Sequence, residues 1–479
     1  MDVSNNQFTE WQRIGAEQPE HLVDHFFNQL RSLPPNSRRA IIASFPQRDE
    51  LVNRLVTAHT NSDTALTGVP YVLQDMFDVE ELPTRCGAPF KELFDQPLDE
   101  SSQLQQTLED LGAVLFAKTV PSEFGVDLEG RNPSFGFCPH ADDEHFLSGG
   151  AGSCAHAVKK GWVPLAFGLD STGGIRISAA FHGLFGFRLP DKSLARQGVF
   201  PTLPSLESVG WMTATLEDLE RCFTAFYPQD EAARTDEAAR TDEAALTDEA
   251  ALTDEAALTD EAALTDETMQ AEEAIQTDQV TQTEEIPRGF LLQHPGMRIH
   301  PEVRSALMNG LYTLQLEAQP EMNAKLCQAF KNSGAALKKI QGRELYSIHR
   351  YWIDEYRAEY DQSLLQKIEM GRLCMIEEAD EAADTQQALR QCFSEFFRDY
   401  DYLVMPISPV PTPDRAAWTD ALENDLIQLN APASLTGMPV LILPLRCKGG
   451  RYSAAQLIIN PRKIDCIPEI LKRIRPAYS

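Results

Sequence analysis

Ser148-Gly149-Gly150-Ala151-Gly152-Ser153-Cys154-Ala155-His156-Ala157-Val158 is closely followed by Gly168-Leu169-Asp170-Ser171-Thr172-Gly173-Gly174-Ile175-Arg176-Ile177-Ser178-Ala179-Ala180. Taken alone, each stretch could cradle a phosphate. Neither fits G-x-G-x-x-G or G-x-x-x-x-G-K-[ST], and a bare Gly cluster is a weak signal. The surroundings say more. Upstream, Val69-Pro70-Tyr71-Val72-Leu73 reads as a strand, Ser102 to Leu111 as a helix and Ala113 to Ala117 as a second strand. That order is the βαβ pattern of a sheet covered by helices. Downstream, β-like runs return at Tyr402–Met405, Val440–Leu443 and Ala455–Ile459, and Ile467–Ile474 reads as a closing helix.

The flanks are helical. Leu22, Val23, Phe26, Phe27, Leu30 and Leu33 recur near a 3.6-residue period. Pro34-Pro35 ends that run, and Asn36 or Ser37 is expected to cap the next helix. Residues 288–400 read as largely helical, for example 345–375 and 385–400. Four segments follow: a helical region at 1–65, a core at 66–229, an insert at 230–285, and a helical region with the rest of the core at 286–479.

The insert stands apart. Residues 230–265 are six copies of a hexapeptide, DEAART twice and then DEAALT four times, with another copy beginning at Asp266. A six-residue period cannot align its Leu residues on one helix face, and the basic partners four residues from each Glu are missing. A solvated acidic segment, disordered or only transiently helical, is expected. Its role is a neutral expansion or an acidic docking tail.

The chain has 479 residues, 43% of them hydrophobic, so a sizeable core is available and a collagen, a small disulfide scaffold or a wholly disordered chain is excluded. The net charge is −30, but residues 230–285 alone hold nineteen Asp or Glu against two Arg. The folded body is therefore only moderately acidic. No nucleic acid and no anionic membrane is expected as a partner, because both need clustered Lys and Arg. The nine Cys form no C-x-x-C pair, the first residues have no apolar signal region, and no run is long enough to span a bilayer. A reduced, cytoplasmic protein is expected. Ten His without H-E-x-x-H or Cys/His spacing give no metal site, and no cofactor is expected.

Together the two glycine stretches resemble the signature of the amidase signature family, whose members hydrolyse amides with a Ser–cis-Ser–Lys triad. The family pattern is a G-G-S-S-G-G-S loop, a helix, and then D-T-G-G-S-I-R. Val158, Pro164-Leu165-Ala166, Asp170, Gly173, Ile175, Arg176 and Ala179-Ala180 match in order. So do Phe181-His182-Gly183-Leu184-Phe185-Gly186-Phe187, Gly198-Val199-Phe200-Pro201 and Ser208-Val209-Gly210. Upstream, Leu66-Thr67-Gly68-Val69-Pro70 through Asp78-Val79, and Gly112-Ala113-Val114-Leu115 through Lys118-Thr119, are similar too. Near the end, Ser434-Leu435-Thr436-Gly437-Met438-Pro439 resembles the family's N-L-x-G-x-P. The resemblance implies an α/β fold with a large mixed sheet between helical layers.

The departures carry the functional reading. The family's Lys falls on Gln74, its cis-Ser on Gly150 and its nucleophilic Ser on Gly174. Attack on an amide carbonyl needs a hydroxyl or thiolate beside a base. Gln has no titratable nitrogen and Gly has no side chain. No catalytic residue is expected, and the resemblance points to a pseudoenzyme. Thr172, Gly173, Gly174 and Ile175 could still offer backbone N–H groups to a small amide or carboxylate ligand, and an active homologue or another protein is a candidate partner. Asp170 and Arg176 are expected to frame the loop as an ion pair. The alternative is an amidase with a substitute nucleophile: Thr172, or Cys154 with His156 or His145 beside it. Positions i and i+2 on a helix do not face each other, which weakens the Cys–His reading, and Lys159 and Lys160 read as surface rather than as replacement bases.

Overall fold

The computed structural model describes residues 7–90, 94–190, 197–228, 286–293 and 296–478. The hexapeptide segment lies outside them. Thirteen strands occur among the described residues: β1 (Ile42–Ser44), β2 (Pro70–Gln74), β3 (Val114–Thr119), β4 (Arg131–Asn132), β5 (Gly136–Phe137), β6 (Leu165–Asp170), β7 (Phe185–Arg188), β8 (Ser208–Thr213), β9 (Gly289–Leu291), β10 (Leu316–Glu317), β11 (Tyr402–Pro406), β12 (Val440–Arg446) and β13 (Tyr452–Ile459). Eleven of them form one sheet in the order β1-β3-β2-β6-β8-β7-β12-β13-β11-β9-β10, and β4 and β5 form a separate pair.

The sheet is mixed. β3, β2 and β6 run parallel, as do β11, β9 and β10, and antiparallel pairs join them. β2, β3 and β6 are buried along their whole length, which is why they read as apolar runs rather than alternating ones. The Gln103–Asp110 helix makes the crossover from β2 to β3, started by Ser102, whose hydroxyl accepts the Gln105 N–H. β3 then feeds back across β2 to β6. The chain thus leaves β2 in one direction and continues from β6 in the other, the kind of switch point outside whose carboxyl strand ends ligands bind in open α/β sheets.

The first 65 residues do more than supply helices. β1 pairs with β3 at the sheet edge, and Phe8 and Trp11 belong to the same buried core as the sheet residues. Neither Asn36 nor Ser37 caps the helix after the two prolines. It runs from Pro35 to Ile41 with Pro34 as its first flanking residue and no side-chain cap. Pro35, at the first helical position, removes one of the N–H groups left unpaired at a helix start, and its fixed φ already suits that turn. The long run expected at 345–375 is divided. One helix spans Ser333–His349 and another Gln362–Leu373, with a short turn of helix at Ile353–Tyr356 between them. Asp361 restarts the chain by accepting the Ser363 and Leu364 N–H groups. The two long helices touch through glycines, since a Cβ on Gly371 would overlap the Gly342 carbonyl group.

Candidate functional site

Gln74 ends β2, and Asp170 ends the neighbouring parallel strand β6. The chain turns at Gly173, whose φ of 115° suits glycine, and enters the Gly174–His182 helix. The other glycine stretch leads into the Gly152–Lys159 helix. The fold gathers the three positions singled out by the resemblance. A Cβ on Gly150 would stand 3.5 Å from the Gly174 Cα. The Gln74 Oε1 accepts the Leu169 N–H at 2.8 Å. A Cβ on Gly168 would meet that Oε1 at 2.9 Å and the Ile175 Cδ1 at 3.1 Å.

The turn from Asp170 to Arg176 is clamped from below. The Arg176 Nη2 lies 2.7 Å from the Asp170 Oδ1, and the Arg176 backbone N–H donates to Oδ2 at 2.9 Å. The guanidinium also donates to the Asn430 carbonyl and the Ser434 hydroxyl. Arg188 lies on the other side of the carboxylate, with Nε 3.4 Å from Oδ1. Burial alone would raise the Asp170 carboxyl, but the two guanidiniums and their hydrogen bonds hold it below its ordinary value.

What this frame presents is a set of donors. The Gly174 and Ile175 amides open a helix, so they have no intrahelical acceptor. The Gln74 Oε1 is engaged, which leaves its Nε2 as the outward end, and that nitrogen donates to nothing among the described residues. The buried Ser171 and Thr172 hydroxyls likewise donate to no described residue. The space beside Gly150 is nearly closed. A Cβ there would meet the Asp127 carbonyl oxygen at 2.7 Å. A cavity of about 10 Å³, room for a single water, lies between Gly149, Gly150 and Ser153 on one side and Gly130, Arg131, Asn132 and Cys138 on the other.

The remaining candidates lie elsewhere. Cys154 is fully buried, with its Sγ 3.5 Å from the Phe167 carbonyl oxygen and 3.1 Å from the Thr119 Oγ1. Burial pushes this thiol up to about 12. His156 turns instead to the Pro139 carbonyl, 2.8 Å from its Nδ1, and burial pushes it down to about 4. His145 is exposed and pairs with Asp143. The Lys159 ammonium sits over the Tyr452 ring, and Lys160 is exposed. Among the described residues, no three His, Cys, Asp or Glu side chains could hold a metal ion, and no helix is long and apolar enough to cross a membrane.

Two placements escape the sequence reading, although Lys118-Thr119 and Glu123-Phe124 are among the stretches that resemble the family. Lys118 is completely buried, with its Nζ 2.7 Å from the Asp75 Oδ1 and within hydrogen-bond reach of the Pro83 carbonyl and the Thr84 hydroxyl. A lone Lys in the apolar run Val114-Leu115-Phe116-Ala117 was the available signal. The segment 122–131 is the other. It lies against the glycine loop through Asp127, Leu128, Gly130 and Arg131, and its spacing does not announce that position.

The amidase family model matches residues 22–451. This chain belongs to the amidase family. It is 34% identical over 173 residues to the urea amidolyase of Saccharomyces cerevisiae, a match covering 36% of this chain and 9% of that protein. It is 30% identical over 214 residues to a glutamyl-tRNA(Gln) amidotransferase subunit of Coxiella burnetii, covering 44% of this chain and 43% of that one. The matches therefore span less than half the length of these relatives. The crystal structure of an amidase superposes with a TM-score of 0.73 at 22% identity, over 97% of each chain. The fold is the amidase-signature α/β fold, with its eleven-stranded mixed sheet flanked by helices.

Proposed function

We propose that this amidase-family protein does not hydrolyse amides and instead binds a small amide or carboxylate through the donors around Gly174, or serves an active homologue or other protein as a binding partner. One observation carries the reading. By the family resemblance the Lys and the two Ser fall on Gln74, Gly150 and Gly174, which lie at the end of β2, in the glycine loop and at the start of the helix after β6. None of these three residues carries a titratable side chain. The Asp127 carbonyl oxygen fills the room that a hydroxymethyl group at 150 would need. Removing the members of a comparable hydrolytic unit costs roughly 10⁴–10⁶ in rate.

The same donors support binding. The Gly174 and Ile175 amides, the Thr172 hydroxyl and the Gln74 Nε2 have no acceptor of their own among the described residues. A carbonyl or carboxylate oxygen satisfies them. One relative bears the name of one component of a larger assembly, which supports a protein partner. Nine cysteines, none in a disulfide, support a reducing compartment such as the cytoplasm.

A second reading keeps hydrolysis, with Thr172 as nucleophile. It is favoured by the names of the relatives and by the unengaged Thr172 hydroxyl. Cys154 is the weaker substitute, since its thiol is buried, raised and turned away from His156. Purified protein incubated with simple carboxamides and with a serine-directed phosphonate separates the readings. No turnover above background and no adduct is the expected result. Turnover abolished by Thr172→Ala would overturn it.

A further inference from the structure

Residues 122–131 cross the mouth of the glycine loop as a strap, and they are fastened from both sides. On the inner side the Asp127 carbonyl oxygen stands where it would touch a Cβ on Gly150, and a Cβ on Gly130 would meet the Gly149 carbonyl oxygen at 2.8 Å. The strap holds its own shape. The Ser122 hydroxyl accepts the Asp127 N–H at 3.0 Å, and the Asp127 Oδ1 accepts the Glu129 N–H at 2.7 Å and the Gly130 N–H at 3.2 Å. Phe124, at a φ of 51°, is in an uncommon conformation for so bulky a residue. Its ring is wedged against Phe200, Tyr360 and His349.

On the outer side, beside the ring contacts with Tyr360 and His349, the polar fastening is one residue of the helical region. Asp361, the cap of the Gln362–Leu373 helix, donates its N–H to the Glu123 carboxyl at 3.1 Å. Its Oδ2 accepts from the Arg131 Nη2 at 2.8 Å. Asp361 therefore grips the strap near both ends. Val126, Asp127 and Lys367 complete the small cavity enclosed between strap and helix. The helical region and the site are otherwise distant in sequence, and this grip makes the position of one depend on the other.

We propose that the strap is a closing element for the site, held shut by the Asp361 grip on Glu123 and Arg131, and that releasing the grip opens the crevice beside Gly150 and Gly174 to a ligand. This regulates the binding site of the proposed function and rests on that reading for what enters. The opening itself is a separate physical statement. A movement of the Gln362–Leu373 helix, for instance on docking of a partner to that region, is then transmitted to the glycine loop through the two hydrogen-bonded contacts of Asp361, with the Phe124 ring contacts beside them.

The chain carries its own reporter. Cys138 lines the cavity beneath the strap, with Gly130 and Arg131 on one side and Gly149 and Gly150 on the other, and it is buried while the strap is shut. Cys222, buried in the Leu216–Phe226 helix, reports global unfolding. The full chain is treated with methyl methanethiosulfonate and the labelling rate of each cysteine is read by peptide mass spectrometry. Two variants are compared with wild type. Asp361→Asn keeps a good helix cap while removing the charge on Arg131's partner. Arg131→Ala removes the same pair from the strap side. The expected result is at least tenfold faster labelling of Cys138 in both variants, with Cys222 unchanged. Cys138 and Cys222 accelerating together, or neither accelerating, would overturn the strap. Acetate and acetamide are then titrated into all three proteins, with binding followed by NMR. Tighter binding in the variants supports the full proposal. Fast Cys138 labelling with no binding of either probe to any protein upholds the strap and removes the ligand reading.

Discussion

Placing serine at position 150 tests whether the space beside the glycine loop is closed. A Cβ on Gly150 would stand 2.7 Å from the Asp127 carbonyl oxygen, some tenths of an ångström inside any ordinary contact. The obstruction is backbone rather than a flexible tip, and the turn holding Asp127 is tied by Ser122, Glu129 and Gly130. Neither Gly150 nor Gly174 has a positive φ, so the cost is steric and not conformational. Overpacking of this kind costs about 1–3 kcal/mol. At Gly174 the nearest atom is the Leu169 carbonyl oxygen at 3.0 Å, a tight contact that a small adjustment relieves, and Gly174→Ser is expected within about 1 kcal/mol of wild type. Urea unfolding of the two single variants measures the difference. The Gly150→Ser penalty should also shrink in an Asp361→Asn background, because the two sites share the strap. Gln74→Lys, Gly150→Ser and Gly174→Ser combined should acquire slow carboxamide hydrolysis, with no turnover expected of the wild type under the proposed function. Gly150→Ser as stable as Gly174→Ser, or wild-type protein cleaving a simple carboxamide at enzyme-like speed, would refute the reasoning.

Asp170→Ala leaves Arg176 and Arg188 buried without the carboxylate between them, and about 3–5 kcal/mol of stability should be lost in denaturant unfolding. His156 is pushed from 6.5 down to about 4, so the unfolded chain takes up its proton first as pH falls. About 3 kcal/mol of stability should disappear between pH 6.5 and 4, and His156→Gln should flatten that slope. Glu123 has the opposite sign. Burial pushes it up to about 8, so its contribution is intact below 4.5 and falls away as pH rises to 8. Glu123→Gln should stabilise the protein at pH 9 by up to ~4 kcal/mol and change little at pH 4. Gly371→Ala drives a Cβ into the Gly342 carbonyl and should cost well over ~3 kcal/mol or prevent folding, seen as loss of the thermal unfolding transition.

Much of the architecture was legible in the residues alone. The apolar runs at β2, β3 and β12 announce buried strands, and Ser102 marks the start of the crossover helix, whereas β6 was not read as a strand. The helix breaks were harder. A periodic stretch from 345 to 375 carries no local sign that Asp361 restarts the chain, because a cap acts only where the backbone has already turned.

By itself, the sequence determined which chemical groups the protein can bring to bear. Side-chain identity is local, so Gln74, Gly150 and Gly174 could be read off a single line of residues. Only the tertiary structure decided how those positions are used. The contact of the Asp127 carbonyl with the space beside Gly150, the burial of Lys118 against Asp75 and the hold of Asp361 on Glu123 and Arg131 all join segments far apart along the chain. Such contacts arise from packing one backbone against another, and backbone atoms are the same in every residue, so composition and spacing carry no record of them.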